Sequence, residues 1–421
     1  RKVFKIIGFI ILGIIFLVTL GLHLFYNFEE GYKVSALICF FIISTSYLIS
    51  YFGKGQTYMA VLSAAQEKYV YSLIFNGVKL LCDILIVVVT IKFKTLESIA
   101  IVILAMKILE EIINRIVVKK KYPELHEIAR KDTSMVKMTK DLAWTQLGYL
   151  ILNNVDALLL MGFNGPVMVS IYTTYNYILR FLTEIASRVE LSSVYSFGNV
   201  FAKKEEKRVY PLFKEYMMMF ILIAFSMCLT FMIGIRGFVS VWVGKENYIL
   251  DYITVVLFTS TSFLNILYFP LVALINADGL FKDNKKHIFI CASVNLILSI
   301  ILINYLGING ILLGTGVAFL VNIALKSNLI SKKITKEIKL SNILKYYIIT
   351  IILFIVLSVA LKPVENYFLL TAGSFITTIL KLGIIFIIIT LLTSIILYVV
   401  SNDAKNLFRR LLNLIKRKLK K

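Results

Sequence analysis

Charge is scarce in this chain. Of 421 residues only 17% are charged while 59% are hydrophobic, whereas a soluble domain carries charge on about a quarter of its positions. That shortfall excludes an ordinary water-soluble globule. Cysteine is sparse too, and Cys39, Cys82, Cys228 and Cys291 all sit inside apolar runs. They read as small hydrophobes, with neither disulfide nor zinc spacing. The three histidines, His23, His126 and His287, are far apart and match no metal motif. There is no Gly-Lys-Ser phosphate loop, which argues against direct ATP hydrolysis. No nucleophile–base pair stands out, so the sequence calls for no cofactor and no enzymatic chemistry. Only five prolines occur, and they give little clue to where helices bend.

What is present is a succession of apolar runs of roughly 20 residues, the length that crosses a hydrocarbon core about 30 Å thick. The runs are continuous and do not alternate, so helices, not barrel strands, satisfy the backbone in lipid. The reading is an all-α polytopic membrane protein with about twelve spans, near 4–26, 32–52, 68–93, 96–118, 138–162, 167–190, 213–243, 250–276, 287–306, 308–330, 343–361 and 370–400. The first run begins behind Arg1, Lys2 and Lys5 and lacks a cleavage site, so it is not read as a signal peptide.

The formal net charge of +22 could suggest nucleic acid, but its placement points to a membrane. Cations fill the links 118–140, 201–215, 281–287 and 331–345 and both termini. The alternate links, with Glu29-Glu30, Gly162–Pro166, Gly244–Leu250, Gly307–Gly310 and Pro363–Asn366, hold few. The positive-inside rule then expects both ends of the chain on the cytoplasmic side of the membrane. The tail 402–421 sets Leu407, Leu411, Leu412, Leu414 and Ile415 among cations. It reads either as a basic amphipathic helix on an anionic leaflet or as a solvated tail.

A faint internal repeat pairs Ala60-Val61-Leu62-Ser63-Ala64 with Ala273-Leu274-Ile275-Asn276-Ala277. It matches spans one to four with spans seven to ten, and expects two further helices before Arg1. Parallel repeats are a common transporter plan, with substrate held between the halves.

Ionisable groups at bilayer depth are costly and each needs a reason. In the sixth span Thr173, Asn176, Arg180, Thr183, Glu184, Ser187 and Arg188 recur at three- and four-residue steps, making one polar stripe. Arginine offers a charged planar fork that suits phosphate. Arg180 and Arg188 therefore read either as phosphate contacts in a water-filled cavity or as a self-neutralising ladder with Glu184. The fifth span carries Gln146, Tyr149, Asn153 and Asp156. Asp156 could hold a coupling H+ or Na+, or pair with a cation on a neighbouring helix. Lys79 and Asp83 are four apart in the third span, and Lys107 and Glu111 four apart in the fourth, with Glu110 and Asn114 alongside. Each pair can neutralise itself, or both lysines can line one cationic cavity with Arg180. Lys381 and Arg236 read as snorkelling cations.

Several motifs in order resemble one family. Ser196-Phe197-Gly198-Asn199 with Ala202–Lys207, Val241-Trp242-Val243-Gly244, Ala277–Asp283, Asn295–Ile301 with Gly307–Gly310, Leu313-Gly314-Thr315, and Asn154-Val155-Asp156 through Gly162-Phe163 and Tyr172 are similar to Wzx-type polysaccharide flippases. These belong to the multidrug/oligosaccharidyl-lipid/polysaccharide exporter (MOP) superfamily, with MATE antiporters and MurJ-type lipid II flippases. The resemblance is clear over roughly 136–330 and thinner elsewhere.

It implies two pseudo-symmetric lobes around a central cavity. Residues 1–135 would form an incomplete first lobe, lacking the first two helices of a 14-helix protein. Residues 136–335 would be the six-helix second lobe, 336–401 two additional helices, and 402–421 the cytoplasmic tail. The implied function is translocation of an undecaprenyl-pyrophosphate-linked oligosaccharide for O-antigen or capsule export. It would be driven by an H+ or Na+ gradient or by exchange, beside a polysaccharide polymerase and other assembly proteins, with membrane lipids but no nucleic acid as partners. The cavity cations would be Arg180, Lys79, Lys107 and Arg188, and the polar or ion-coupling candidates Asp156, Asp83, Glu184, Asn153, Asn176 and Glu111. The rivals are a MATE-like exporter of small molecules, a membrane enzyme such as a polymerase, and a non-transporting scaffold.

Overall fold

The computed structural model describes residues 2–25, 33–65, 67–123, 134–334 and 339–419. Among them there is no strand, and the chain divides into two compact units, 1–131 and 132–421.

The first unit holds α1 (Lys2–Phe25), α2 (Lys33–Ser46), α3 (Ile49–Phe52), α4 (Gly55–Ala64), α5 (Lys68–Phe93) and α6 (Leu96–Lys121). Its buried core is small, built on Tyr58, Leu62 and Val118. Large apolar side chains such as Phe9, Leu17, Leu73, Ile91 and Ile116 point outward. Helices apolar on every face are what a lipid environment permits.

The second unit begins with α7 (Ser134–Ala202), followed by α8 (Val209–Trp242), α9 (Tyr252–Leu267), α10 (Phe269–Ala277), α11 (Phe281–Leu306) and α12 (Ile308–Lys333). It ends with α13 (Leu340–Ala360), α14 (Lys362–Leu370), α15 (Phe375–Val400) and α16 (Asn402–Leu419). As one straight rod the 69 residues of α7 would run about 100 Å, over three times the hydrocarbon thickness. They do not run straight. Gly165 sits at φ 79°, ψ 177°, a conformation that in practice only glycine adopts. Pro166 follows, its fixed φ and missing N–H suited to starting a helix. Tyr172 reaches back to Asp156, and Arg180 to Asn154, so α7 is a helical hairpin folded about Gly165.

Helix α8 is largely enclosed, whereas α15, whose one buried residue is Thr378, is the least enclosed of the long helices. Stacked and edge-on rings of Phe225, Phe263 and Phe354 tie α8, α9 and α13 together, with centroids 3.9 to 6.1 Å apart. Such pairs contribute about 0.5–1.5 kcal/mol each beyond simple burial. Asp251 caps α9 by accepting the Thr254 N–H at 3.1 Å. The first half of α16 docks on α8 through buried Ala404 and Leu407, with Lys214–Asp403 and Arg410–Glu215 ion pairs at 2.9 Å. The docked half of the tail is therefore neither free in solvent nor laid on lipid alone.

Among the described residues ten segments are long and apolar enough to cross a membrane, against about twelve read from hydropathy. Two of the twelve, 138–162 and 167–190, are the arms of α7 and run on without a break in apolarity. The 96–118 span fails on charge, since Glu97, Lys107, Glu110, Glu111 and Arg115 interrupt it. Element lengths follow the pairing of the faint repeat. Helices α5 and α6 are 26 residues each, as are α11 and α12, and a short helix precedes each pair, α4 of 10 residues and α10 of 9.

Candidate functional site

A cavity of ≈ 340 Å³ opens in the second unit between the α7 hairpin, α9 and α12. The hairpin supplies Asn154 and Asp156 from its first arm, and Asn176, Arg180, Thr183 and Glu184 from its second. The second-arm residues recur every three or four positions, so one helix face carries them all. Helix α9 adds Thr261, Ser262 and Asn265; α12 adds Thr315 beside Leu312 and Phe319; and the rings of Tyr172 and Phe258 complete the wall. The lining is mixed, with one guanidinium, two carboxylates, and otherwise amides and hydroxyls among apolar and aromatic faces.

Arg180 is exposed and donates Nη2 to Asn154 Oδ1 at 3.0 Å. That hydrogen bond crosses to the other arm of the hairpin, not along its own helix. Glu184 is also exposed, one turn on. Arg188 is exposed a further turn along and does not line the cavity.

Asp156 is the buried member, at 5% exposure. Its Oδ2 accepts from the Tyr172 hydroxyl at 3.2 Å and from the Thr315 hydroxyl at 3.0 Å, and Thr315 in turn accepts from Asn295 Nδ2 at 2.7 Å. The other carboxylate oxygen, Oδ1, is buried without a partner, as is Asn295 Oδ1. Two buried acceptors of one network are thus each short of a donor.

Tyr175, fully buried on the same arm, accepts from Leu250 N at 3.0 Å and donates to Tyr248 O at 3.1 Å. It thereby fixes the α8–α9 link over one end of the helix that bears Arg180. The Asn153 side chain lies outside the described residues.

The remaining candidates belong to the first unit. Lys107 pairs with Glu110 at 2.8 Å and not with Glu111, correcting the four-residue pairing expected from spacing. Its ammonium also lies over the rings of Tyr47 and Phe75, 5.3 and 5.1 Å from their centroids. Glu111 instead turns to the break between α3 and α4, where it accepts the Lys54 N–H at 2.6 Å. These groups surround a cavity of ≈ 140 Å³ with Gln56 and Asn114. Lys79 and Asp83 are both exposed, and among the described residues no ion pair joins them.

Two cations read as snorkelling have specific partners. Arg236 pairs with fully buried Glu365 of α14 at 3.1 Å, and Lys381 donates to Thr371 O at 2.6 Å.

Thr261, Ser262, Asn265 and Thr315 carry no charge and so are not marked by the cost of burying one. The signal was the run of hydroxyl and amide side chains from Thr259 to Asn265 inside an apolar span.

No protein-family model matches the chain, and no curated protein matches it. Solved structures do. The lipid II flippase MurJ in an inward-closed conformation superposes with a TM-score of 0.60 at 15% identity, over 94% of this chain and 82% of that one. A mutant of the Vibrio cholerae MATE transporter VcmN gives 0.50 at 13% identity, over 78% and 79%. At these identities the likeness is one of fold: an all-α architecture with many helices long and apolar enough to cross a membrane.

Proposed function

We propose that this chain is a flippase that carries an undecaprenyl-pyrophosphate-linked oligosaccharide across a bacterial inner membrane, with both of its ends on the cytoplasmic side. The observation that carries the reading is the second-unit cavity, in which Arg180 stands among Asn154, Asn176, Asn265, Thr183, Thr261 and Ser262. Amides and hydroxyls match the donors and acceptors of sugar hydroxyls, and a guanidinium suits a phosphate oxygen pair. The MurJ-like fold and the family resemblance of residues 136–330 support it. Arg180 is the first phosphate contact, with Lys79, Lys107 and Arg188 as further cationic candidates, while Glu184 and Asn176 act as polar wall. Asp156 is the ion-coupling group, its free Oδ1 and that of Asn295 taking H+ or Na+. Asp83, Glu111 and Asn153 are secondary polar candidates. Alternating access follows if substrate or ion binds one conformation better than the other.

A small-molecule exporter is the second reading. The presence of Asp156 and Glu184 in the same cavity favours it, because carboxylates suit a cationic cargo.

The experiment is complementation of the gene's own null strain with wild type, Arg180→Ala and Arg180→Lys at equal membrane abundance. Surface polysaccharide restored by wild type and lost in Arg180→Ala supports the assignment, and partial rescue by lysine assigns the effect to charge. Normal export by Arg180→Ala removes Arg180 from the site. Failure of the wild type removes the flippase reading and makes drug efflux the next assay.

A further inference from the structure

Outside the cavity, one buried group has no part in the function above. Lys326 on α12 is 0% exposed. Of its three ammonium donors it uses one, toward the side-chain oxygen of Asn284 on α11. It enters none of the ion pairs among the described residues. An ammonium out of water without a counter-charge is among the costliest groups a fold can hold, so such a group exchanges its proton or takes an anion.

Its surroundings are polar and largely unpartnered. Asn322, one turn earlier on the same face, has both amide atoms buried without a partner, and the Ser327 hydroxyl is in the same state. On α11, His287 stands three residues past Asn284. Its ring is half-buried, with Nδ1 buried and unpartnered. Asp283, one turn before His287, pairs with Lys333 at 2.7 Å near the ends of the same two helices. Titratable groups thus run inward from the helix ends to Lys326.

The other elements against α12 are α7, α9, α10 and α13. Helix α10 has no titratable side chain and α9 has Tyr252. Helix α13 brings Lys345, Tyr346 and Tyr347, the last donating to Leu267 O at 2.9 Å. Helix α7 meets α12 through Asp156 at Thr315, about three turns from Lys326. Its early residues Lys137, Lys140 and Asp141 have side chains outside the described set. Cys291 shares the α11 face with His287.

We propose that Lys326 is a proton-exchange site, held by Asn284 in the unpartnered polar surroundings of α11 and α12. In the releasing direction the N–H bond at Lys326 Nζ breaks and an O–H bond forms on a water molecule admitted when the two helices part, leaving a neutral amine and hydronium. The reverse reloads the amine. No electron moves and no further reactant is consumed. The proposal does not depend on the cargo of the cavity.

The test is thermal unfolding of the purified full chain from about pH 6 to about pH 10, in chloride and in gluconate. Wild type, Lys326→Met, Lys326→Arg and His287→Gln are compared, with Lys326→Gln in place of Met if Met does not fold. Expected is a wild type that melts below Lys326→Met in acid, with the gap closing as pH rises. Lys326→Arg stays low throughout, and His287→Gln keeps the pH-dependent gap. A gap constant with pH overturns the proposal. So does one that chloride closes at fixed pH, which identifies an anion site. Loss of the pH dependence in His287→Gln assigns the titration to the histidine and overturns it as well.

Discussion

Thr315 and Asp156, 159 residues apart in the chain, meet at 3.0 Å inside the second unit. The same Thr315 oxygen accepts from Asn295 at 2.7 Å, so one hydroxyl serves a carboxylate and an amide at once. Thr315→Val leaves both underfilled in a buried site, and each such loss costs about 1–3 kcal/mol. Thr315→Ser keeps the hydroxyl and most of the stability. Thermal unfolding of the purified variants checks this, and a valine variant as stable as wild type would remove the network from the account.

Glu110 and Glu111 are neighbours with separate tasks, so their variants separate. Glu110→Gln breaks the 2.8 Å pair with Lys107 and destabilises the first unit by roughly 1–3 kcal/mol. Glu111→Gln keeps an acceptor for Lys54 N and costs less. Gly53→Ala is more severe, because its Cβ would lie 2.5 Å from Glu111 Oε1 and 2.8 Å from Ile49 O. Adding Glu111→Ala recovers only part of the folded yield, since the carbonyl stays. Monodisperse elution after extraction is the readout.

Arg236 and Glu365 fix α14 to α8. With Glu365 fully buried, Glu365→Ala strands a charge and costs about 3–5 kcal/mol. Replacing both partners, as Arg236→Met with Glu365→Leu, recovers most of that. Unfolding midpoints of Arg236→Met, Glu365→Leu and the double variant give the coupling.

Glu67 supplies a pH dependence. Hydrogen bonds from Lys121 and from Tyr122, at 2.8 and 2.6 Å, hold its carboxyl below the ordinary glutamate value. A depressed folded value means that the stabilisation is complete above the unfolded value of about 4.3 and is lost as pH falls through the folded one. The stability difference between wild type and Glu67→Gln should therefore shrink below about pH 4.3. A difference that stays level down to strong acid would show that the contact is not ionic.

Helix identity and most boundaries were legible because apolar length alone decides them in lipid. The α7 reversal was marked by Gly165-Pro166, two residues with narrow and complementary backbone preferences. Partner choice was not legible. Spacing offers Lys107 both Glu110 and Glu111, and the choice is made by Lys54, whose N–H claims Glu111 from the break between α3 and α4. Spacing also could not foresee that Arg236 meets Glu365, 129 residues away. The Asp156 network escaped in part because Thr315 and Asn295 carry no charge. Charge marks the groups that are hard to bury, and the neutral ones that make burial tolerable carry no such mark.

The α7 hairpin also sets an order in time. Its contacts, Asp156 with Tyr172 and Asn154 with Arg180, lie within 26 residues of one another in the chain, so they can form as soon as the hairpin leaves the ribosome. Thr315 is translated 159 residues after Asp156. At synthesis rates of about 5–20 residues per second, that is a delay of roughly ten to thirty seconds. For that interval the nascent chain carries an incompletely bonded carboxylate beside the translocon. Inefficient insertion in Asp156 variants would then be a fault of assembly, separable from transport by pulse-labelling.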